Sequence, residues 1–164
     1  MLERVTPTET VTRWAFDHDV QPEDRHLRRL LKQMPADTVF QPIEGEWIAW
    51  CRRQTWSEDF VSLYSDEDYV RCGLGVLVLA GGEAVAGASS YLSYPGGLEI
   101  QLQTRDERQG RGYATLAAAK LILMAHERGL MATWDAANEA SAHIAQKLGY
   151  RLMGPYSVYT PFKL

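Results

Sequence analysis

Several things are scarce in this sequence, and each absence narrows what the chain is. Only two of its 164 residues are cysteine. Cys51 and Cys72 are far apart and in no metal-ligand spacing, which argues against a disulfide framework or a zinc site and for two buried, reduced thiols. No apolar run approaches the roughly 18 residues that would cross a bilayer. The start, from Met1 through Glu9, is too polar for a secretory signal. These absences lead to the expectation of a cytoplasmic protein with no membrane partner. Positive charge is not in excess either. There are 17 Lys and Arg against 21 Asp and Glu, a net charge of −4, which argues against a nucleic-acid partner. Internal repeats and low-complexity linkers are missing, so the chain reads as one domain over 1–164.

What is present suffices for a core. Hydrophobic residues make up 46% of the chain, and a chain of this length buries roughly 70% of the surface its unfolded form exposes. The charge is uneven. Through Gly75 there are 14 acids and 9 bases, a balance of −5; from Val76 onward there are 7 acids and 8 bases, a balance of +1. An anionic ligand therefore suits the C-terminal part and a cation the N-terminal part, although a solvated face explains the same asymmetry. The densest acids, Glu58, Asp59, Asp66, Glu67 and Asp68, would draw a cationic amine or simply mark helix starts.

The character of the chain changes near Gly73. Residues 1–73 read as mainly helical. The candidates are Thr8 to His18, Glu23 to Met34 with Leu27, Leu30, Leu31 and Met34 on one stripe, Glu46 to Arg53, and a helix to Cys72 capped by Ser65 and Asp68. Beyond it the period becomes that of strands. Leu74 to Ala80 ends at Gly81-Gly82, a hairpin signal. Ala84 to Tyr94 ends at Pro95-Gly96-Gly97. Leu98 to Thr104 places Leu98, Ile100 and Leu102 on one face and Glu99, Gln101 and Gln103 on the other. A helix with Ala114, Ala117, Leu121 and Met124 at helical spacing stops at Gly129. Leu130 to Asp135 is a strand, and Asn138 or a neighbour caps a helix ending at Gly149. Tyr150 to Met153 and Tyr156 to Thr160 are two closing strands. The strand–helix–strand step around the glycine loop places its strands parallel. The fold class is α/β (α+β), a central sheet with helices packed on it.

The segment that carries chemistry is Gln109-Gly110-Arg111-Gly112-Tyr113-Ala114, between a strand and a helix. Glycines let the main chain turn tightly and let a bulky anion approach it. The first amides of a helix lack internal partners and the helix dipole adds positive charge there, so the backbone alone can hold a diphosphate. Arg105, Arg108 and Arg111 flank the loop within reach of remaining phosphate oxygens. Taken alone, Gly110 and Gly112 also suit an ordinary turn. A Walker loop would need Gly-Lys-Ser/Thr, and no lysine is present. A dinucleotide fingerprint would need a third small residue at Thr115 and an acid ending a second parallel strand.

Gln109, Gly112 and Ala114 match motif A of the GNAT superfamily, which this chain resembles, and they sit between strand and long helix as that motif requires. The run Asn138-Glu139-Ala140-Ser141 through Lys147-Leu148-Gly149-Tyr150 looks like the superfamily's second signature, in the right order. The resemblance covers residues 74 to 160. A closer resemblance is to the acetyltransferases typified by zwittermicin A resistance, carried by Glu99-Ile100, by Trp134-Asp135-Ala136-Ala137-Asn138 with Ser141, and by the Trp56-Ser57 stretch. The region before the core is shorter here than that family usually carries.

The resemblance implies a GNAT fold, a mixed and mostly antiparallel sheet splayed at the acyl-CoA site with helices on both faces. It divides the chain into a substrate-side part, 1–73, and an acetyl-CoA-binding core, 74–164. It implies an N-acetyltransferase using acetyl-CoA and no metal, acting on a primary amine of a small molecule. A protein amine and a non-catalytic acyl-CoA sensor are the alternatives. The main chain of Leu102, Gln103 and Thr104 would pair with the pantetheine arm. The amides of Gln109, Gly110, Arg111, Gly112, Tyr113 and Ala114 would hold the diphosphate. Asn138 would bond the pantetheine, and as a residue it also suits a helix cap. Glu99 is the candidate base, or else an exposed strand residue, with Asp135 the second candidate. The superfamily's usual tyrosine, seven residues beyond the motif asparagine, is replaced by Ala145. Ser141, His143 or Tyr159 would then assist the leaving thiolate, or water would. The resemblance also implies pairing of two copies through the terminal strands.

Overall fold

Gly81 and Gly82 both have positive φ, 58° and 82°, which a two-residue hairpin loop that matches strand twist requires at both positions. They turn β3 (Gly75–Ala80) into β4 (Glu83–Tyr94). Pro95 and Gly96 turn β4 into β5 (Gly97–Thr104), giving the antiparallel meander that the alternation predicts. The computed structural model describes residues 9–160. The reading of the polar start over residues 1–8 lies outside them.

The remaining elements in chain order are β1 (Glu9–Phe16), α1 (Asp24–Leu31), β2 (Thr38–Pro42), α2 (Glu46–Arg52) and α3 (Asp66–Cys72) before the meander. After it come α4 (Tyr113–Glu127), β6 (Met131–Thr133), β7 (Asp135–Ala136), α5 (Glu139–Leu148) and β8 (Leu152–Thr160). They form a five-stranded sheet in the order β2-β3-β4-β5-β6 and a three-stranded sheet in the order β7-β1-β8. β5 and β6 are parallel, as the right-handed crossover rule requires. The fold is mixed α/β with helices on both sheet faces.

The two faces have separate cores. On one, α1 and α4 cover the sheet through Leu27, Leu30, Leu121 and Ile122, which meet Val76, Val78, Ala88 and Leu98. On the other, α2, α3 and a 3-10 turn at Glu58–Phe60 bury Ile48, Phe60, Val61 and Tyr69 against Leu77 and Leu79. Trp47, Trp50 and Trp56 border this second core as a chain of edge-to-face rings, so they are packing residues first. α4 is apolar almost all round because sheet and helices enclose it. None of the described helices is long and apolar enough to cross a membrane.

The structure corrects the N-terminal reading. Of the two thiols expected to be buried, Cys51 is and Cys72, at the end of α3, is exposed. Within the segment expected as a helix over Thr8 to His18, Glu9–Phe16 is the strand β1, and Thr38–Pro42 adds β2. Thr10, Val11, Thr12, Trp14 and Phe16 are β-branched or aromatic and prefer a pleated surface. Two open strand edges are available to β1, those of β8 and β7. Tertiary pairing therefore overrides the polar look of the segment. Two further boundaries move. Leu130 to Asp135 is not one strand but β6 and β7, which join different sheets at Trp134. The two closing strands are one, β8.

That break opens the sheet. β5 and β6 pair through three steps only, Gly97 with Met131, Leu98 with Ala132, and Glu99 with Thr133. Beyond Thr133 the chain turns away to pair with β1, through Asp135 opposite Ala15 and Ala136 opposite Trp14. Residues 100–104 of β5 stay bonded to β4 and, among the described residues, have no strand on their other edge. The result is a V with its apex at Glu99 and Thr133.

Candidate functional site

The V continues into a cleft of about 610 Å³, lined by residues 102–104 of β5, the loop and first turn of α4, and one face of α5. Apart from the flanking Arg105, every residue expected to bind the cofactor lines it. Leu102, Gln103 and Thr104 supply the open strand edge. Gln109, Gly110, Arg111, Gly112, Tyr113 and Ala114 form the floor, and Asn138 stands at the start of α5.

The loop is built by its glycines. Gly110 and Gly112 have φ of 76° and 82°, conformations that cost other residues about 1–2 kcal/mol each. A Cβ at either position would meet no protein atom within 4 Å. The glycines are therefore needed for backbone shape and for open space in front of the main chain. Gly112 is the N-cap of α4 and no side chain caps this end. The first amide to find a helical partner is Leu116, bonded to the Gly112 carbonyl at 3.2 Å. Among the described residues the amides of Tyr113, Ala114 and Thr115 have no acceptor, which is the arrangement that attracts an anion. A diphosphate fits this cradle, and a pantetheine-like amide chain fits the open β5 edge that leads to it.

The three flanking arginines divide. Arg111 lines the cleft and has no ion pair among the described residues. Arg108 lines it while bonded to Glu83 at 3.1 Å. Arg105 lies outside it, paired with Glu83 at 2.8 Å and stacked over Trp56. The structure thus withdraws Arg105 from the phosphate role, because the carboxylate of the β3–β4 hairpin and the indole already hold it.

Asn138 does cap α5. Its Oδ1 accepts from the Ser141 amide at 2.8 Å. Ser141 lines the cleft, with Ala140, His143, Ile144 and Lys147 along the helix face. Its Oγ accepts from the Trp134 indole N–H at 3.2 Å. Ala145 is fully buried. Tyr159 lies elsewhere: it is 64% exposed on β8, opposite Thr10, and does not line the cleft.

Glu99 sits at the apex, half-buried, on the β5 face opposite Leu98. It is not a cleft-lining residue; the strand itself separates it from the loop of α4. Register places Thr133 beside Glu99 on the same face. Asp135 is occupied: its Oδ2 accepts from Arg13 Nε at 3.2 Å and from the Tyr156 hydroxyl at 2.5 Å. Its Oδ1 is buried without a partner among the described residues. Hydrogen bonding to Asp135 raises the Tyr156 pKa. Burial opposes the Arg13 charge, but the Asp135 carboxylate outweighs it and raises that pKa. Asp135 is thus held by two partners from the second sheet. Arg13 and Tyr156 were not legible as site residues, since only the pairing of β1 with β8 brings Arg13 opposite Tyr156. In the acidic stretch, Asp66 is bound by Arg52 at 2.7 Å and Asp68 by Arg71. Their share in attracting a cation is reduced accordingly.

A sequence model of GNAT acetyltransferases matches residues 1–159 of the chain. An uncharacterized N-acetyltransferase, YdfB of Bacillus subtilis (strain 168), is 27% identical over 135 residues, 77% of this chain and 49% of its own length. The structure of a GCN5-related N-acetyltransferase-like protein from Streptococcus suis 89/1591 superposes with a TM-score of 0.89 at 37% identity. The match covers 94% of this chain and 62% of that one. The aminoglycoside N-acetyltransferase AAC(6')-Iy, solved in complex with CoA, shares the fold. Its TM-score is 0.52 at 14% identity, over 80% of this chain and 97% of that one. The chain thus spans about half the length of YdfB and under two thirds of the streptococcal protein.

Proposed function

Because the chain belongs to the GNAT acetyltransferase family, we propose that it transfers an acetyl group from acetyl-CoA to a primary amine of a small molecule. The observation that carries this reading is the pairing of an uncapped helix start with an unbonded strand edge. The free amides of Tyr113, Ala114 and Thr115 open onto the same cleft as residues 102–104 of β5. Acetyl-CoA is the substrate whose diphosphate and amide-bearing arm match both halves. Within the family we place the chain nearest the zwittermicin A resistance type, on Glu99-Ile100 and the run from Trp134 through Asn138.

The acceptor approaches from the face that carries Glu99. A primary amine is protonated at neutral pH, and freeing it costs about 1.4 kcal/mol for each unit between its pKa and the pH. Glu99, directly or through one water, takes that proton. The nitrogen lone pair then attacks the thioester carbon, the carbon–sulfur bond breaks with its electron pair leaving on sulfur, and the nitrogen gives up a second proton to water as the neutral amide forms. A serine hydroxyl is far too weak an acid to surrender its proton to a thiolate whose thiol has a pKa of about 8.5. Ser141 therefore donates a hydrogen bond to the developing thiolate and keeps its proton, and water supplies the proton that completes the thiol.

Calorimetric titration with acetyl-CoA and a thiol-release assay over panels of amines and peptides test the reading. Micromolar binding with release dependent on a small amine is expected. Release with peptides alone would move the acceptor to proteins. Binding without release on either panel would make the chain an acyl-CoA sensor. Absence of binding would refute the assignment. Glu99→Gln should lower turnover about 10²-fold near neutral pH. The loss should shrink as the pH nears the amine's own pKa, with coenzyme affinity unchanged; a wild-type pH–rate profile would remove Glu99 from the mechanism.

A further inference from the structure

The indole of Trp134 is 3% exposed, and it occupies the single residue between β6 and β7 where the sheet parts. Its ring packs against a tyrosine that is itself anchored. It lies tilted against Tyr150 with ring centroids 5.7 Å apart, and the Tyr150 hydroxyl donates to the Ala132 carbonyl at 2.7 Å. A ring so fixed presents its N–H in one direction, and Nε1 donates to Ser141 Oγ at 3.2 Å. Ser141 is fixed as well, by the bond from its amide to Asn138 Oδ1.

A serine hydroxyl in a helix is ordinarily free to donate back to a carbonyl one turn earlier. Here one side of the oxygen is taken by a donor, which excludes the hydroxyl hydrogen from that side. Among the described residues this hydrogen has no acceptor, and Ser141 lines the cleft. Accepting from the indole also polarises the O–H bond and strengthens its donation. Register locates the pair at the apex: Thr133, the residue before Trp134, is opposite Glu99.

We propose that Trp134 is a positioning residue that aims and polarises the Ser141 hydroxyl toward the coenzyme sulfur, so that the site favours thiolate over thiol. The inference rests on the acetyl-CoA reading above and goes beyond it, assigning a task to a buried indole. No bond other than hydrogen bonds forms at Ser141; the electron pair released from the thioester stays on sulfur.

The test uses coenzyme A itself, the thiol product, and the whole chain. The thiol of bound coenzyme A is titrated by the ultraviolet absorbance of its thiolate in wild type, Trp134→Phe, Ser141→Ala and the double variant. Phenylalanine keeps an aromatic ring in the core and removes the N–H donor, together with part of the indole volume. The bound thiol is expected to titrate lower in wild type than in Ser141→Ala by about one unit. Trp134→Phe should shift it the same way, and the double variant should match Ser141→Ala. Coenzyme affinity below the thiol pKa should stay within about threefold, since one hydrogen bond to a neutral thiol is weak. Equal thiol pKa values in wild type and Trp134→Phe would overturn the proposal, as would additive shifts in the double variant. If Trp134→Phe does not fold, an unshifted thiol in Ser141→Ala overturns it alone. Failure of wild type to bind coenzyme A at all would instead refute the acetyl-CoA reading, a separate outcome.

Discussion

At the residue scale the site depends on atoms that are missing as much as on those present. Gly112 offers a left-handed turn and an unobstructed approach to three free amides. Gly112→Val would force a β-branched residue to φ near 82° and place its methyl groups where phosphate oxygens belong. Coenzyme affinity should fall at least tenfold, about 1.4 kcal/mol, as read by calorimetry, with a smaller loss of melting temperature. Position 145 shows the same logic inverted. Ala145 is fully buried, one helical turn beyond Ser141, so the hydroxyl that reaches the cleft comes from the earlier turn.

At the element scale β1 matters most. It pairs with β8 over nearly its full length and with β7 at Trp14 and Ala15, so it holds in place the strand that forms one arm of the V. Ala15 is bonded into both neighbours, opposite Asp135 and Gly154. A proline there removes a ladder donor and clashes with the sheet. Ala15→Pro should destabilise the chain by about 3 kcal/mol or more, measured by denaturant unfolding, and should weaken coenzyme binding with it. A stability close to wild type would show that the second sheet holds without β1.

At the scale of the whole molecule, two cores on opposite sheet faces bury ionisable groups in their neutral forms. Burial raises the Tyr69 and Tyr150 hydroxyls above the usual phenol range and pushes the Cys51 thiol up to about 11. Each group has a higher pKa folded than unfolded. The stability linked to the thiol is complete below about 8.5 and is lost as the pH rises through about 11. The phenols follow from about pH 10 upward. Melting temperature should therefore decline progressively above about pH 9. Cys51→Ala, a small swap at a buried site, should flatten the first part of that decline even if it lowers stability overall. A slope unchanged by Cys51→Ala would show that the thiol does not contribute.

The sequence by itself determined what is local. The meander followed from strand alternation and two glycine-bearing turns. The glycine loop with its uncapped helix start followed from the order strand, glycines, helix, and the cap of α5 from Asn138 at its start. These features depend on neighbours along the chain, whose φ, ψ and hydrogen bonds are fixed within a few residues. Only the tertiary structure decided that residues 9–16 form a strand, that the run through Trp134 divides between two sheets, that Arg13 meets Asp135, and that an indole N–H reaches Ser141. Those outcomes depend on contacts between distant segments. There, the pairing of open backbone edges and the burial of apolar rings outweigh local preference.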